Sequence, residues 1–345
     1  MNKISIGVDL GGTNLRIAAV DEQGMLVEKV TLCTKVSLGR DHVIGDMCDS
    51  IQRMSDKYKN SAPLMGIGIG VPGIIDMQTG LVRESPNLPD WVDYPARAAI
   101  EQRLKTVVIL ENDANVAALG EQWLGAAKDY SDMAMLTLGT GVGGGLVMGG
   151  AIWRGANGMA GEFGHTTVEP EGHPCGCGNR GCLEQYASAT AVVRMAREAI
   201  ASNSGSALAV ASQSDPEFSA KSIYNLAMQG DQDARRIFRY VGRCLGIVLS
   251  AMVNSLNLPI YVIGGGASSA WEAFSPAMFE ELRRRCMVYA ATAPPDPSAT
   301  HEGASAHVKA GPGQKTIITR ALLGSDAGLY GAARLPMVTS PAVKR

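Results

Sequence analysis

The residues of this chain that could do chemistry sit beside glycine. Asp9-Leu10-Gly11-Gly12-Thr13-Asn14-Leu15-Arg16 closes an apolar run with a carboxylate, two glycines and a hydroxyl. Those are the parts of a phosphate cradle: exposed backbone N–H groups and a hydroxyl for anionic oxygens, and a carboxylate for Mg²⁺ or its waters. Asp and Gly also favour a plain hairpin turn. The pattern returns, however, at Gly139-Thr140-Gly141 and again as a third glycine turn at Gly264-Gly265-Gly266, and the repetition favours the cradle.

At Glu111-Asn112-Asp113-Ala114-Asn115 a strand-like run ends in two carboxylates and two amides. An Asp at a strand end can act as general base for a hydroxyl, with the adjacent Asn binding a neighbouring hydroxyl. Asn and Asp are also the preferred helix N-caps, and both roles can hold together. Downstream, Gly161-Glu162-Phe163-Gly164-His165 precedes Cys175-Gly176-Cys177-Gly178-Asn179-Arg180-Gly181-Cys182, and Glu184 follows. Three thiolates and a His are what a tetrahedral Zn²⁺ site of three Cys and one His requires. Spacing leaves the fourth ligand open, since His173 lies nearer the cysteines than His165.

These groups need a frame. Residues 4–10 alternate as a strand, break at Gly11-Gly12, and lead to strand-like runs at 15–20 and 25–31. Val43, Ile44, Met47, Ile51 and Met54 at helical spacing predict a helix over 42–59, and strands follow at 64–71 and 107–110. The plan then recurs as strand 134–138, glycine turn 139–145 and return strand 146–153, which predicts two similar lobes. Helices over 187–201 and 233–256, strands 260–263 and 316–319 and a helix over 325–334 complete the pattern. Residues 290–314, rich in Ala, Pro, Gly and Ser, predict an exposed loop.

Composition sets the limits. A chain of 345 residues predicts two domains at roughly 100–200 residues each. With 46% hydrophobic and 19% charged residues it is globular, and a net charge of −2 lacks the basic excess of a nucleic-acid binder. Glycine, at 41 residues, exceeds the average of about 7%, so backbone must turn tightly or approach a ligand closely many times. The N-terminal ten residues lack the features of a secretory signal, and no apolar run reaches the roughly 20 residues that span a bilayer. Seven cysteines, odd in number and clustered, fit a metal site in a reducing compartment. The expectation is a cytoplasmic protein with neither a membrane nor a nucleic-acid partner.

Two matches to Gly-x-Gly-x-x-Gly, at 68–73 and 139–144, lead into a hairpin and a strand rather than a helix, which excludes a nicotinamide fingerprint. No Gly-Lys-Ser or Gly-Lys-Thr occurs, which excludes a Walker-type loop.

Taken in order, the motifs resemble the ROK family of sugar kinases, and its bacterial glucokinase branch in particular, over residues 4–334. The resemblance implies an α/β chain of the actin-like ATPase (ribonuclease H-like) fold, with two α/β lobes around a cleft. Residues 1–112 would form the smaller lobe, with helix 325–334 packed on it, and 113–324 the larger. The resemblance implies ATP and Mg²⁺ held by Asp9, Gly11, Gly12, Thr13, Thr140 and Gly141, with Gly264, Gly265 and Gly266 at the adenosine. It implies a structural Zn²⁺ on His165, Cys175, Cys177 and Cys182, and a homodimer. The sugar would meet Asn87, Asn112, Asp113, Glu162, His165 and Glu184, with Asp113 as catalytic base. Residues 291–314 stand out as an insertion against the compact family pattern.

The function expected on this basis is phosphorylation of a hexose, glucose to glucose 6-phosphate, with N-acetylmannosamine, N-acetylglucosamine or allose as alternative substrates. A sugar-responsive repressor of the same family needs a DNA-reading module ahead of the kinase-like body, and Asp9 already belongs to the phosphate motif. An actin-like ATPase with a protein partner has no reason to carry the cysteine cluster between Glu162 and Glu184.

Overall fold

Period-two alternation builds the first sheet. In the computed structural model, which describes residues 3–294 and 315–339, β1 (Ile4–Leu10), β2 (Asn14–Asp21) and β3 (Leu26–Cys33) pair antiparallel. Leu15, Ile17 and Ala19 share a core with Val43, Ile44, Met47, Ile51 and Met54 of α1 (Arg40–Tyr58), while Ala18 and Val20 pack with the opposite layer. β4 (Leu64–Val71) joins β1 in parallel. After the hairpin β5 (Ile74–Asp76) and β6 (Leu81–Glu84) and helix α2 (Ala96–Leu104), β7 (Val108–Asn112) joins β4 in parallel. The order is β3-β2-β1-β4-β7, and α3 (Asp113–Trp123) starts directly at the end of β7.

The second sheet has the order β10-β9-β8-β11-β12, from β8 (Met133–Leu138), β9 (Val142–Met148), β10 (Ala151–Ile152), β11 (Ile260–Gly264) and β12 (Ile317–Arg320). The chain between β10 and β11 carries α4 (Glu184–Ala187), α5 (Ala189–Ser202), α6 (Ala207–Ser214), α7 (Ala220–Gln229) and α8 (Gln232–Leu256). After β11 come α9 (Trp271–Arg285) and α10 (Met287–Thr292), and α11 (Ala327–Val338) follows β12. α8 is the one described helix long and apolar enough to cross a bilayer. It is a core helix: Ile237, Val241, Leu245, Val248, Leu249 and Met252 are buried, and Arg235, Arg236 and Arg239 line its exposed side.

The return strand begins at Val142, inside the glycine run rather than after it. The expected strand 146–153 is two strands, folded back at Gly149-Gly150, where positive φ values of 58° and 75° make the turn. The stretch expected to be loop from residue 290 begins as the end of helix α10; residues 295–314 lie outside the described residues.

The chain divides into two units, one of residues up to 133, 145–161 and from 321, the other of 134–144 and 162–320. The expected boundary at 112/113 is therefore moved, because α3 stays with the first unit. It stays because α11 packs against it backbone to backbone. A Cβ on Gly331 would collide with the Val116 carbonyl oxygen, and one on Gly120 with that of Ala327. The same helix lies flat on β1 and β4, where Gly7 and Gly68 leave no side chain under Leu329, Ala332 and Ala333. Gly331→Ala should therefore destabilise the protein by about 1–3 kcal/mol or more through overpacking. Urea denaturation of the full chain tests this, and an unchanged midpoint would contradict the close approach.

Candidate active site

The carboxyl ends of β1, β4 and β7 meet along one edge, the place where parallel strands of an α/β sheet present a ligand site. Pairing registers Asp9 against Gly70 and Gly70 against Glu111, so the first carboxylate and the 111–113 group lie in one row. Asp9 pairs with Arg16 at 2.9 Å. Burial pushes its carboxyl above the usual range, and the guanidinium pulls it back only in part. After Asp9 the chain turns through Gly11, whose N–H donates to the Asn14 carbonyl at 2.9 Å, while Thr34 Oγ1 donates to the Gly11 carbonyl at 2.6 Å. Gly12 sits against Asn87: a Cβ there would stand 3.1 Å from that of Asn87, which is itself exposed, as is Thr13.

Asn112 caps α3, its Oδ1 accepting from Ala114 N at 2.9 Å and Asn115 N at 3.2 Å, and its Nδ2 donates to the Gly73 carbonyl at 3.0 Å. That fixes Asp113 as the first residue of the helix, half-buried, with Oδ1 accepting from Ala114 N at 2.9 Å. Behind it lies the other carboxylate of the same run. Glu111 is buried, and its Oε1 accepts from Asn112 N and Asn115 Nδ2, both at 3.0 Å, while Oε2 takes Arg154 Nε at 2.6 Å. The Arg154 partnership spans 43 residues of chain and leaves no local trace in the sequence.

In the second unit Val142 is the meeting point. Its N–H donates to Glu184 Oε2 at 2.9 Å, and its carbonyl oxygen is where a Cβ on Gly164 would collide, so the Glu162–His165 segment lies directly on the start of β9. Gly265, at φ 81°, presses on the Leu138 backbone just before Gly139-Thr140-Gly141; a Cβ would stand 2.6 Å from Leu138 N. A cavity of about 660 Å³ opens beside Thr140, lined by Thr190, Val193, Arg194, Arg197 and Phe218 among others.

His165 Nδ1 lies 3.6 Å from Cys175 Sγ, and Cys177 and Cys182 Sγ are 3.7 Å apart; the four ligand atoms all fall within 4.8 Å of one another. A tetrahedral ion with metal–sulfur bonds of about 2.3 Å and a metal–nitrogen bond of about 2.0–2.1 Å needs edges of roughly 3.5–3.8 Å. The donor set therefore fits such an ion. His173 is placed elsewhere, with Nε2 3.2 Å from Glu198 Oε1. His165 Nε2 points toward Glu162, 3.9 Å from its Oε2.

The chain matches the ROK family over residues 5–337. It belongs to that family. Among its relatives are a glucokinase of Thermotoga maritima, 39% identical over 330 residues and 96% of both chains, and a glucokinase of Halalkalibacterium halodurans, 37% identical over 96% of this chain and 94% of that one. A solved ROK glucokinase from Streptomyces griseus, in complex with glucose and AMPPNP, superposes with a TM-score of 0.74 at 32% identity, covering 96% of this chain and 98% of that one. The fold is accordingly that of the actin-like ATPases. A xylose repressor of Caldicellulosiruptor bescii is 31% identical over 82% of this chain and 71% of its own length.

Within this ROK protein the first unit carries Asp9, Gly11, Gly12, Thr13, Asn87, Asn112 and Asp113, and the second carries Thr140, Gly141, Glu162, His165, the three cysteines, Glu184 and Gly264 to Gly266. Burial pushes the Cys182 thiol up to about 12, so a cation entering the cluster must expel its proton. Metal affinity should thus rise as pH is raised from 6 to 8, by about tenfold per unit for each proton released. Competition against a chromophoric chelator measures it, and a flat profile would mean that the thiols are not ligands.

Proposed function

We propose that this protein transfers the γ-phosphoryl group of ATP to the 6-hydroxyl of glucose. The observation that carries the reading is Asp113, capped into the first turn of α3 at the carboxyl edge of a parallel sheet, in a ROK chain that matches a glucose- and AMPPNP-bound relative over 96% of its own length. Asp113 accepts the proton as the sugar oxygen attacks phosphorus; the bond from that phosphorus to the bridging oxygen breaks and ADP leaves. The reaction asks little covalent chemistry of the protein, only an aligned hydroxyl, a proton acceptor and neutralised charge.

The phosphates are assigned to Gly11, Gly12, Thr13, Thr140 and Gly141, with Gly264 to Gly266 and the Thr140 cavity toward the nucleoside. Mg²⁺, which would neutralise the phosphates, is assigned to the neighbourhood of Asp9 through water, as its reluctance to dehydrate and the Arg16 ion pair on that carboxylate both suggest. Zn²⁺ is assigned to His165, Cys175, Cys177 and Cys182, where four protein ligands make it structural. Asn87, Asn112, Glu162, His165 and Glu184 take the sugar hydroxyls. N-acetylmannosamine, N-acetylglucosamine and allose remain the alternative substrates, and a cytoplasmic homodimer is the assembly that the family suggests. The match to nearly the whole of the glucokinases, against 71% of the xylose repressor, favours the enzyme; a DNA-mobility shift that responds to sugar would reverse that choice.

Asp113→Asn keeps the shape and removes the basicity, so kcat should fall by at least about 10²-fold with KM little changed. Near wild-type turnover would end the assignment. A coupled assay over glucose, mannose, galactose and fructose should show glucose preferred by roughly tenfold or more per mismatched hydroxyl, since polar groups built for a hydroxyl reject a sugar that leaves them unpaired. A flat profile would remove the proposed contacts.

A further inference from the structure

The carboxylate of Glu184 is engaged by the backbone. It stands in the first turn of α4, two residues after Cys182, and its Oε2 accepts the N–H of Val142 at 2.9 Å. Val142 directly follows Gly139-Thr140-Gly141, so this bond closes the phosphate turn at its exit. The approach is built into the sequence on both sides, because a Cβ on Gly141 would collide with the same Oε2.

The segment that follows Glu184 holds the rest of the turn. Ala189 N donates to the Gly139 carbonyl at 2.8 Å, and Thr190 Oγ1 donates to the Thr140 carbonyl at 2.8 Å. Carbonyl oxygens are the groups of a glycine turn that would repel a phosphate, and both of these are matched by donors from this one stretch. Three hydrogen bonds from residues 184–190 thus set the conformation of the turn, and all three lie within the second unit.

We propose that Glu184 is a positioning residue for the nucleotide as well as a sugar ligand: one oxygen braces the phosphate turn at Val142 while the other meets a sugar hydroxyl. Occupancy of either ligand then restricts the carboxylate that the other needs, and by linkage each tightens the other by the same factor. The inference rests on the reading that ATP and glucose are the substrates.

Calorimetric titration of the full chain with a non-hydrolysable ATP analogue and Mg²⁺, without sugar and then with saturating glucose, tests it. In the wild type, glucose should tighten the analogue by about fivefold or more, the low end of typical couplings. Glu184→Ala should weaken the analogue by about fivefold or more with no sugar present, and glucose should no longer alter it. Glu184→Gln, which keeps an oxygen for the Val142 N–H, should restore most of the sugar-free nucleotide affinity. Thr190→Val should weaken the analogue while leaving glucose binding, measured alone, unchanged.

Metal content and melting curves identify variants whose loop is intact. Should Glu184→Ala fail to fold, Thr190→Val decides the question. An intact Glu184→Ala protein that loses glucose but binds the analogue as the wild type does would make Glu184 a sugar ligand only, and an unaffected Thr190→Val would overturn the bracing segment. A wild-type protein that binds the analogue but shows unchanged variants overturns this proposal alone; one that binds neither ligand overturns the kinase reading with it.

Discussion

Where α11 meets the first sheet and α3, there is no room for side chains, and that contact organises the unit that carries the proposed base. Gly7 and Gly68 on the sheet, and Gly120 and Gly331 where the helices cross, let main chain rest on main chain. Dispersion forces are short-ranged, so a layer this tight is rigid and unforgiving of added volume. The position of α3, and of Asp113 in its first turn, is inherited from a helix more than two hundred positions later in the sequence.

Buried charge reinforces that placement at both ends of α3. Glu111, one residue ahead of the cap, is satisfied by Arg154, Asn115 and the Asn112 N–H. Glu121, also buried, accepts from the N–H groups of Ala126, Leu322 and Leu323 at 2.8, 3.1 and 2.7 Å. An ion pair on a buried carboxylate, such as Arg154 on Glu111, adds little net stability, but removing one partner costs about 3–5 kcal/mol. Geometry, rather than stability, is what these groups secure. In the second unit the cluster of His165 with the three cysteines, Glu184 and the turn before Val142 lie close together in a comparable way, with the Val142 N–H donating to Glu184.

Much of this was legible in the sequence where physics is local. Alternation marked β1 and β4, spacing marked α1 and α8, and the cysteines marked their own cluster. What failed to show was long-range. β9 starts within a run of glycines, whose low strand propensity masks it until β8 supplies a partner. α9 contains Pro276, which masks the helix in the sequence, although its Phe274 and Met278 pack against Gly242 of α8. Spacing alone could not choose between His165 and His173, because the choice depends on Gly164 lying against β9. The Gly-x-Gly-x-x-Gly match at 68–73 is likewise explained only by distant contacts: Gly68 lies against Ala332 of α11, Gly70 against Val116 of α3, and Gly73, at φ 112°, against the Glu84 carbonyl.

The first unit is assembled from three separate stretches of chain, and its last helix is among the last parts of it to be translated. During synthesis, Ala18, Val20, Val116 and Leu119 emerge from the ribosome long before Leu329, Ala332 and Ala333, which cover them. Until then the nascent sheet carries an uncovered apolar face, the kind of surface that chaperones shield and that aggregation exploits. The second unit's helices α5 to α9 are meanwhile complete in a single contiguous run, so the polypeptide is placed to finish those helices before α11 closes the first unit.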